Sequence, residues 1–210
     1  MREPPNRARH VPGPTRGDQR RAALLSALDE LLAQQPLAEI GIADIAHAAG
    51  VSRSAFYFYF PTKYAAVAAL LADVYEQMLL AASDWYEGSD GTPHERLSSG
   101  FEASVQLWRE RAGLMVAMLD AVGTDAEVRE VWDTWIDRFV QRAAGRIAEE
   151  RAAELARRSI DARALAAVLV GAAVHGMERD VRGIVAGQPP SELLAPTLIE
   201  VWYLTVYGNR

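Results

Sequence analysis

Cysteine is absent from the chain, and no stretch of it stays apolar for long. Without cysteine there can be no disulfide and no thiolate metal site, so a reducing compartment is predicted. The longest apolar run, residues 164–174, is shorter than the ~20 residues of a membrane-spanning helix, and His175 and Glu178 follow it. The basic N-terminus has no apolar signal core. A cytoplasmic protein that is neither secreted nor membrane-spanning is therefore predicted.

The sequence also lacks the motifs of the common enzyme classes. Its four histidines are scattered, and none has the spacing of a metal-binding H-E-x-x-H motif. There is no G-x-S-x-G nucleophile elbow, phosphate-binding loop or dinucleotide fingerprint. Glu149 and Glu150 lie in a strongly charged segment and are predicted to be solvent-exposed. An enzyme, the main alternative class, is not expected, and neither a cofactor nor a metal ion is predicted.

Lysine is nearly absent, since Lys63 is the only one among 22 basic residues. The net charge of −6 would argue against a nucleic-acid partner if it were evenly spread. Residues 1–64, however, carry eight basic and six acidic side chains, a balance of +2, whereas residues 65–210 carry 14 and 22, a balance of −8. Any polyanionic partner is therefore expected to meet the N-terminal part of the chain.

No segment alternates as a strand would, and apolar residues recur at helical spacing along most of the chain. An all-α protein of about nine helices is predicted. Residues 1–17, rich in proline and glycine, are expected to be a disordered basic arm. Residues 18–64 are expected to form a domain of short helices, and residues 65–210 a helical bundle. Helices of the bundle are predicted near 94–111, 113–121, 125–156, 161–186 and 191–207.

Three short helices give residues 18–64 the spacing of a helix-turn-helix domain. Gly50 can adopt the positive φ that ends the second helix, and Ser52 can N-cap the third, residues 53–59. Thr62 can then cap a long fourth helix. A helix-turn-helix that leads directly into a long helix is therefore predicted.

Five aromatic residues follow one another in and just after the third helix, from Phe56 to Phe60. Phe56 and Phe60 lie four residues apart and are predicted to share a face toward the first two helices. Tyr57 points away from that face, beside Arg53 and Ser54 one turn earlier. The three phenylalanines, Phe56, Phe58 and Phe60, are assigned to the core or to an interface rather than to DNA contacts.

An outward face of arginine, serine and tyrosine suits double-stranded DNA. Arg53 can bond O6 and N7 of a guanine in the major groove, a pairing that discriminates between bases by roughly 1–3 kcal/mol. Phosphates, which fix the register without reading sequence, are within reach of tyrosine hydroxyls, a lysine and the amide end of the second helix. The predicted DNA-binding residues are Ile42, Ala43, Ser52, Arg53, Ser54, Tyr57, Tyr59 and Lys63.

The segment IADIAHAAGVSRSAFYFYFPTKYAAVAALL resembles the DNA-binding domain of TetR-type transcriptional repressors. The motifs VWDTWIDRF, AGQPP and VWYLTVYG extend the likeness to the EthR-type members of that family. The resemblance implies that Arg53, Ser54 and Tyr57 face bases or nearby backbone, and that Tyr59 and Lys63 face phosphates. It also implies a homodimer whose two recognition helices, about 34–36 Å apart, address a palindromic operator.

Two positions depart from the family pattern. Gly41 stands where the family usually has a hydroxyl that caps the second helix, and Ala55 replaces a common phosphate-binding threonine. Both departures are expected to weaken the contacts between the protein and the DNA backbone. The arginine-rich arm is expected to take over part of that contact.

The helices near 161–186 and 191–207 carry apolar residues that are predicted to be buried on more than one side. One face of the first holds Leu165, Val168, Leu169 and Ala172, and another holds Val170, Val174, Met177 and Val181. The last helix carries a matching stripe of Leu194, Leu198, Val201, Trp202 and Thr205. In the resembled family these two helices form the four-helix interface of the homodimer, which implies the same interface here and a ligand cavity behind it.

Ten side chains are candidates for the wall of a cavity that binds a hydrophobic small-molecule effector: Leu97, Phe101, Trp108, Met115, Trp132, Ile136, Phe139, Val174, Met177 and Trp202. Each of them could equally be an ordinary core residue. By position, the resemblance favours Trp108, Trp132, Phe139, Val174, Met177 and Trp202. EthR-type pockets carry two asparagines where this sequence has Val174 and Met177, so the polar anchoring of a ligand must differ. The nearby charged residues Arg142, Arg146, Glu178 and Arg182 either pair with one another or receive an acidic head group.

The predicted function is that of a transcriptional repressor that leaves its operator when an apolar ligand binds. Three alternatives stay open at this point. The first two are an activator and a ligand-independent regulator of the same fold. The third is a helical small-molecule carrier without a regulatory role.

Overall fold

The computed structural model describes residues 15–157 and 160–208, which form ten α-helices, one 3₁₀ helix and no strand. The all-α prediction is confirmed. The helices are α1 (Arg16–Leu32), α2 (Ile42–Ala48), α3 (Arg53–Tyr59), α4 (Lys63–Ala81), α5 (Ser83–Glu87), α6 (Pro93–Glu110), α7 (Ala112–Val122), α8 (Ala126–Ala152), α9 (Ala162–Val185) and α10 (Leu194–Val206). The 3₁₀ helix, Leu37–Glu39, lies between α1 and α2. Below, α1–α3 are called the head and α4–α10 the bundle.

α1 begins two residues before the predicted boundary because Thr15 caps it. The Thr15 hydroxyl accepts a hydrogen bond from the Asp18 N–H (3.2 Å), and the Asp18 carboxylate accepts one from the Thr15 N–H (2.9 Å). This capping box satisfies amides that have no partner within the helix, and it lowers the pKa of Asp18. Arg16 and Gly17, predicted to belong to the disordered arm, are therefore helical. Thr15, the cap, also belonged to the predicted arm, and residues 1–14 lie outside the described residues.

The turn between α2 and α3 has the predicted geometry. Gly50 has a φ of +67°, a left-handed conformation that costs glycine little because it has no Cβ. Ser52 caps α3 by accepting a hydrogen bond from the Ala55 N–H at 3.2 Å. Phe56 and Phe60 are 0% and 3% exposed, which confirms that they pack into the head. Local capping and one glycine thus set the angle between α2 and α3.

α4 connects the head to the bundle, and Thr62 caps its first turn as predicted (3.0 Å to the Ala65 N–H). Its apolar stripe is buried: Val67, Leu70, Leu71, Val74 and Met78. By length and composition alone this helix of 19 residues, with a mean hydropathy of 1.3, could cross a membrane. Half of that segment is buried against other helices of the chain, so packing accounts for its apolar composition.

The bundle contains one helix that was not predicted separately. α4 ends at Ala81, and after a single residue the short α5 carries Trp85 into the core. α8 packs along α9, α7 also packs on α9, and α10 packs on α6. One apolar cluster continues from the head along α4 into α7, and a second surrounds Trp85, Leu97, Ile147 and Trp202. The head therefore shares a continuous core with the bundle.

Two helix ends differ from prediction because the chain forms other hydrogen bonds there. α8 ends before residue 156, where the Leu155 N–H donates to the Glu150 carbonyl (2.8 Å) and closes the helix. α10 begins at Leu194 instead of residue 191, because the Ser191 N–H donates a hydrogen bond to the Asp180 carboxylate of α9 (2.7 Å). Both bonds depend on contacts that helical periodicity does not encode.

The head and the bundle also touch directly where α1 ends and α7 begins. A Cβ built on Gly113 of α7 would lie only 2.0 Å from the Leu32 carbonyl oxygen of α1. Only glycine allows two backbones to approach so closely. Beside this contact, Arg111 forms an ion pair with Asp29 of α1. The head is therefore held by a backbone contact and an ion pair in addition to α4.

A buried ion cluster joins α6, α8 and the loop between α5 and α6. Glu150 is 3% exposed; its Oε1 accepts a hydrogen bond from Arg96 (3.1 Å) and forms an ion pair with Arg146 (2.5 Å). The two guanidinium groups also donate to the loop carbonyls of Gly91 (2.8 Å) and Gly88 (3.1 Å). The prediction that Glu150 is solvent-exposed is therefore wrong, since this position of α8 faces the core.

Candidate DNA-binding surface and ligand cavity

α3 presents an exposed polar face at the surface of the head. Arg53, Ser54 and Tyr57 are exposed, while Phe56 on the opposite side is fully buried. Arg53 donates a hydrogen bond to the Tyr57 hydroxyl (3.3 Å), which raises the pKa of Arg53 further above its ordinary value. The guanidinium also lies over the Tyr57 ring, 5.8 Å from its centroid. This arrangement holds a permanent positive charge where it can donate to a guanine edge or a phosphate.

Ser52 already has partners within the head. Its hydroxyl caps α3 and lies 2.9 Å from the Ser54 hydroxyl. A serine oxygen that accepts the capping bond still has a proton to donate. The predicted DNA contacts of Ser52 and Ser54 remain predictions, and in the structure the two hydroxyls form a linked pair at the start of α3.

A surface groove of about 410 Å³ lies where α2, α3 and α4 meet, and it brings together Ile42, Tyr57 and Lys63. The Lys63 ammonium donates to the carbonyls of Leu37 (2.6 Å) and Ile40 (2.9 Å), just before α2. Partial burial lowers the pKa of Lys63. Because an ammonium group has three donors, one is left for a phosphate in the groove. Lys63 thus also fixes the turn that leads into α2, which the sequence did not indicate.

The first turn of α2 combines backbone amides with an acidic side chain. Ile42 and Ala43 are its first two residues. The Asp44 carboxylate accepts a hydrogen bond from the Gly41 N–H (2.8 Å), so one amide at this helix end is satisfied although Gly41 has no side chain to cap the others. A negative charge at this position weakens the attraction of the helix end for phosphate. Phosphate binding by the amides of Ile42 and Ala43 remains a prediction.

The two residues after Tyr57 differ sharply in exposure. Phe58 is 81% exposed, so of the two places predicted for it, core or interface, the core is wrong and the interface remains a prediction. It follows Phe56 by two residues, or roughly 200° of helix rotation, and so points the other way. Tyr59 is half-buried, and its hydroxyl lies near α1, 3.8 Å from a Cβ built on Gly17. The phosphate contact of Tyr59 remains a prediction.

An apolar cavity of about 80 Å³ lies inside the bundle. Six of the ten predicted residues line it: Leu97, Phe101, Phe139, Val174, Met177 and Trp202. Eight lining residues were missed: Met78, Ala82, Trp85, Tyr86, Gly100, Ser104, Val170 and Ala173. Helical spacing could have found two of them, because Gly100 and Ser104 lie on the α6 face that carries Leu97 and Phe101.

The other four predicted residues do not line this cavity. Trp108 and Met115 are 1% and 0% exposed, within the apolar cluster that runs along α4 and α7. Trp132 packs against the same cluster, and Ile136 packs against the second one. A cavity wall and a filled core carry the same apolar residues, so sequence periodicity does not separate them.

The cavity wall contains a few hydrogen-bond donors. Ser104 and Tyr86 are the hydroxyl-bearing residues among those that line it, and burial raises the pKa of the Tyr86 hydroxyl. The Trp85 indole donates to the Tyr207 hydroxyl (3.3 Å), whereas the buried Trp202 Nε1–H has no hydrogen-bond partner. None of the described residues that line the cavity is charged.

The four charged residues predicted near this wall are ion-paired, and none of them lines the cavity. The pairs are Arg142 with Glu87, Arg146 with Glu150, and Arg182 with both Asp120 and Glu178. Of the two roles predicted for these charged residues, ion pairing and binding of an acidic head group, the structure therefore shows ion pairing. In residues 15–157 and 160–208, no three His, Asp or Glu side chains cluster as they would to hold a metal ion.

α9 and α10 lie side by side and share an exposed apolar surface. Val168 of α9 is 68% exposed, and Val201 and Leu204 of α10 are each 43% exposed. Leu165 and Leu169, predicted to share a face with Val168, are instead buried within the bundle. The exposed surface is therefore narrower than predicted, and we call Val168, Ala172, Val201 and Leu204 the α9–α10 face.

A helix-turn-helix head on a helical bundle with an interior cavity defines a class, the DNA-binding transcriptional regulators. Residues 24–70 match the family described as bacterial regulatory proteins, tetR family, and residues 97–208 match the C-terminal domain of the transcriptional regulator EthR. The chain belongs to the TetR family, with an EthR-type C-terminal domain.

Individual relatives support this assignment. The HTH-type transcriptional regulator EthR of Mycobacterium tuberculosis is 32% identical over 199 residues, which cover 92% of this chain and 90% of EthR. EthR of Mycolicibacterium smegmatis is 28% identical over 197 residues, covering 92% and 88%. Among solved structures, NalD, the secondary repressor of the MexAB-OprM multidrug efflux pump in Pseudomonas aeruginosa, has a similar fold. Its TM-score is 0.69 at 20% identity, covering 92% of this chain and 100% of NalD.

Proposed function

We propose that the protein is a cytoplasmic transcriptional repressor that binds a palindromic operator as a homodimer and leaves it when an apolar small molecule fills the cavity. The observation that carries this proposal is the position of α4. Its first residue, Lys63, is hydrogen-bonded to carbonyls of the head, and near its other end Met78 lines the cavity together with Ala82. One helix therefore contacts both the DNA-binding surface and the cavity.

On DNA, the exposed face of α3 enters the major groove. Arg53, held by Tyr57, donates to a guanine edge, and Lys63 offers its remaining donor to a phosphate. The α9–α10 face joins two copies, which places two α3 helices against successive major grooves of a palindrome. The family assignment and the exposure of Val168, Val201 and Leu204 support this arrangement.

Ligand binding enlarges the cavity and thereby displaces α4. The cavity, at about 80 Å³, is far smaller than the ~300–1,000 Å³ of typical small-molecule sites. A ligand can enter only if the wall moves, and Met78 and Ala82 place the end of α4 in that wall. Because the interior of a helix bundle is close-packed, this displacement reaches the head through α4. The ligand can favour release of the protein from DNA only to the extent that it binds the conformation with the enlarged cavity more tightly than the conformation with the small cavity.

The chemistry of the wall indicates a neutral, elongated or aromatic ligand with at least one hydrogen-bond acceptor. An ionised ligand group would be buried without a charged partner, which is strongly unfavourable. An acceptor would satisfy the buried Trp202 Nε1–H, and Ser104 offers a second polar contact. This anchoring replaces the asparagines that the EthR resemblance would otherwise supply at Val174 and Met177.

A direct test measures binding of the purified protein to DNA upstream of its own gene. Fluorescence anisotropy is expected to show a preference for one palindrome over random duplex, with an affinity that falls steeply as salt rises. In vitro transcription from that DNA separates a repressor from an activator. Equal affinity for the upstream DNA and for every other duplex would contradict the proposal.

Arg53→Ala is expected to relax sequence preference at one base pair in each half-site. Loss of a bidentate contact to guanine removes roughly 1–3 kcal/mol of discrimination at that base pair. Anisotropy titrations with each of the four bases at that position would measure the change. Arg129→Ala, which removes an exposed arginine of α8, is the control and should leave the preference unchanged. A uniform loss of affinity for all sequences would instead make Arg53 a phosphate contact.

Ala173→Leu is expected to keep the protein on its operator in the presence of ligand. Ala173 is buried in the cavity wall, so a larger apolar side chain occupies the space that a ligand needs. With an apolar ligand found by thermal-shift screening, release should require at least about ten times more ligand than for the wild type, a loss of about 1.4 kcal/mol. Ala148→Leu, at an exposed position of α8, is the control. Equal ligand sensitivity of both variants would place the ligand elsewhere.

A further inference from the structure

Phe58 is the most exposed large apolar side chain of the head, yet it lies on the helix proposed to enter DNA. At 81% it is more exposed than Tyr57, which is 45% exposed. A phenyl ring has no hydrogen-bonding group, so water gives it no compensation for this exposure. Its only close ring neighbour among the described aromatics is Tyr59, met edge-on at 5.0 Å.

Helix geometry places Phe58 opposite the buried side of α3. At about 100° per residue, Phe58 lies roughly 160° from both Phe56 and Phe60, which are anchored in the head. Ser54 lies within about 40° of Phe58, whereas Arg53 and Tyr57 lie on one flank. If α3 inserts with its exposed side foremost, Ser54 and Phe58 are thus the residues that approach the base edges most closely.

Only one group in the major groove matches a phenyl ring. The bases expose hydrogen-bond donors and acceptors there, and the single apolar feature is the 5-methyl group of thymine. A donor or acceptor placed under Phe58 would lose its water without gaining a partner. The sugar and phosphate groups form the walls of the groove, to the sides of the outermost face of α3, so Phe58 points to the base edges instead.

We propose that Phe58 is a specificity-determining residue that contacts the 5-methyl group of a thymine in each operator half-site. This inference rests on the proposed function, since it assumes that α3 enters the major groove. It adds a readout by apolar contact to the hydrogen-bonding readout by Arg53. The operator is therefore expected to carry a thymine within reach of the middle of α3 in both half-sites.

The test replaces thymine by uracil, which removes the methyl group and keeps every hydrogen-bonding group. The operator is first selected from random duplex DNA with the full-length protein, and each dT is then replaced singly by dU. In each half-site, replacement of one particular dT should weaken wild-type binding about fourfold, the value expected for one buried methyl group. Replacement of that dT in both half-sites should weaken it about fifteenfold. The same replacements should leave the affinity of Phe58→Ala unchanged.

Leu80→Ala is the matched control, because Leu80 is an exposed apolar residue (73%) of α4 outside the head. It should keep the full dT-over-dU preference. The proposal is overturned if no dU replacement weakens wild-type binding, or if Phe58→Ala keeps the wild-type preference. It is also overturned if Phe58→Ala binds all duplexes more weakly while the wild type ignores the methyl group. Failure of the proposed function has a separate signature, namely that selection enriches no duplex at all.

Discussion

Glu150→Ala is expected to lower the free energy of unfolding by about 3–5 kcal/mol. Glu150 is the shared ion-pair partner of Arg96 and Arg146, and Arg96 is itself 7% exposed. Removing the carboxylate leaves two guanidinium groups beneath the loop between α5 and α6 without their counter-ion. Chemical denaturation followed by circular dichroism, at one fixed protein concentration, would measure the loss.

The neighbouring residue supplies the control for this prediction. Glu149 lies on the exposed side of the same helix, so Glu149→Ala should change the stability by less than about 0.5 kcal/mol. Replacing the whole cluster by Arg96→Met, Arg146→Met and Glu150→Leu should recover most of the stability, because no unpaired charge is then buried. Equal stability of the Glu149 and Glu150 variants would mean that the cluster contributes little.

Val168→Glu is expected to convert the proposed dimer into monomers and to weaken operator binding by about 100-fold or more. The side chain is exposed in the single chain, so the monomer should fold normally. In the proposed dimer it is buried on the α9–α10 face, where two glutamates would repel and remain unpaired. Loss of the partner removes the second DNA-binding head and the gain in affinity from binding two half-sites at once. Light scattering and anisotropy would measure the two effects.

Leu80→Glu places the same charge on another exposed apolar residue, on α4, and serves as the control. It should remain dimeric and should bind the operator with wild-type affinity. If Val168→Glu also stays dimeric, the two copies associate through a surface other than the α9–α10 face. If it becomes monomeric and still binds the palindrome fully, dimerisation is not needed for recognition.

The parts of the fold that depend on local chemistry could be predicted from the sequence. Gly50, Ser52 and Thr62 act as the expected turn and caps, because these residue types favour those positions wherever the chain is. The helical period also assigned Phe56 to the core and Tyr57 to the surface. The same period would have placed Phe58 on the surface, but Phe58 was assigned to the core or to an interface because phenylalanine is usually buried.

The parts that depend on packing between distant helices could not be predicted in the same way. Trp108 and Phe101 have similar apolar patterns, but only the arrangement of neighbouring helices puts Phe101 at the cavity. Glu150 is buried together with its ion-pair partner Arg96, which lies on another helix. Lys63 binds two carbonyls from the segment before α2, a contact that no spacing rule describes.

The glycine contact between α1 and α7 limits how the head can respond to a ligand. With no side chain between Gly113 and the Leu32 carbonyl, the two backbones cannot be pressed closer together. The ion pair between Arg111 and Asp29 opposes their separation. In the proposed mechanism, a displacement of the far end of α4 would therefore rotate the head about this contact rather than translate it. A small expansion inside the bundle would, in the same proposed mechanism, change the angle between the two recognition helices of the proposed dimer.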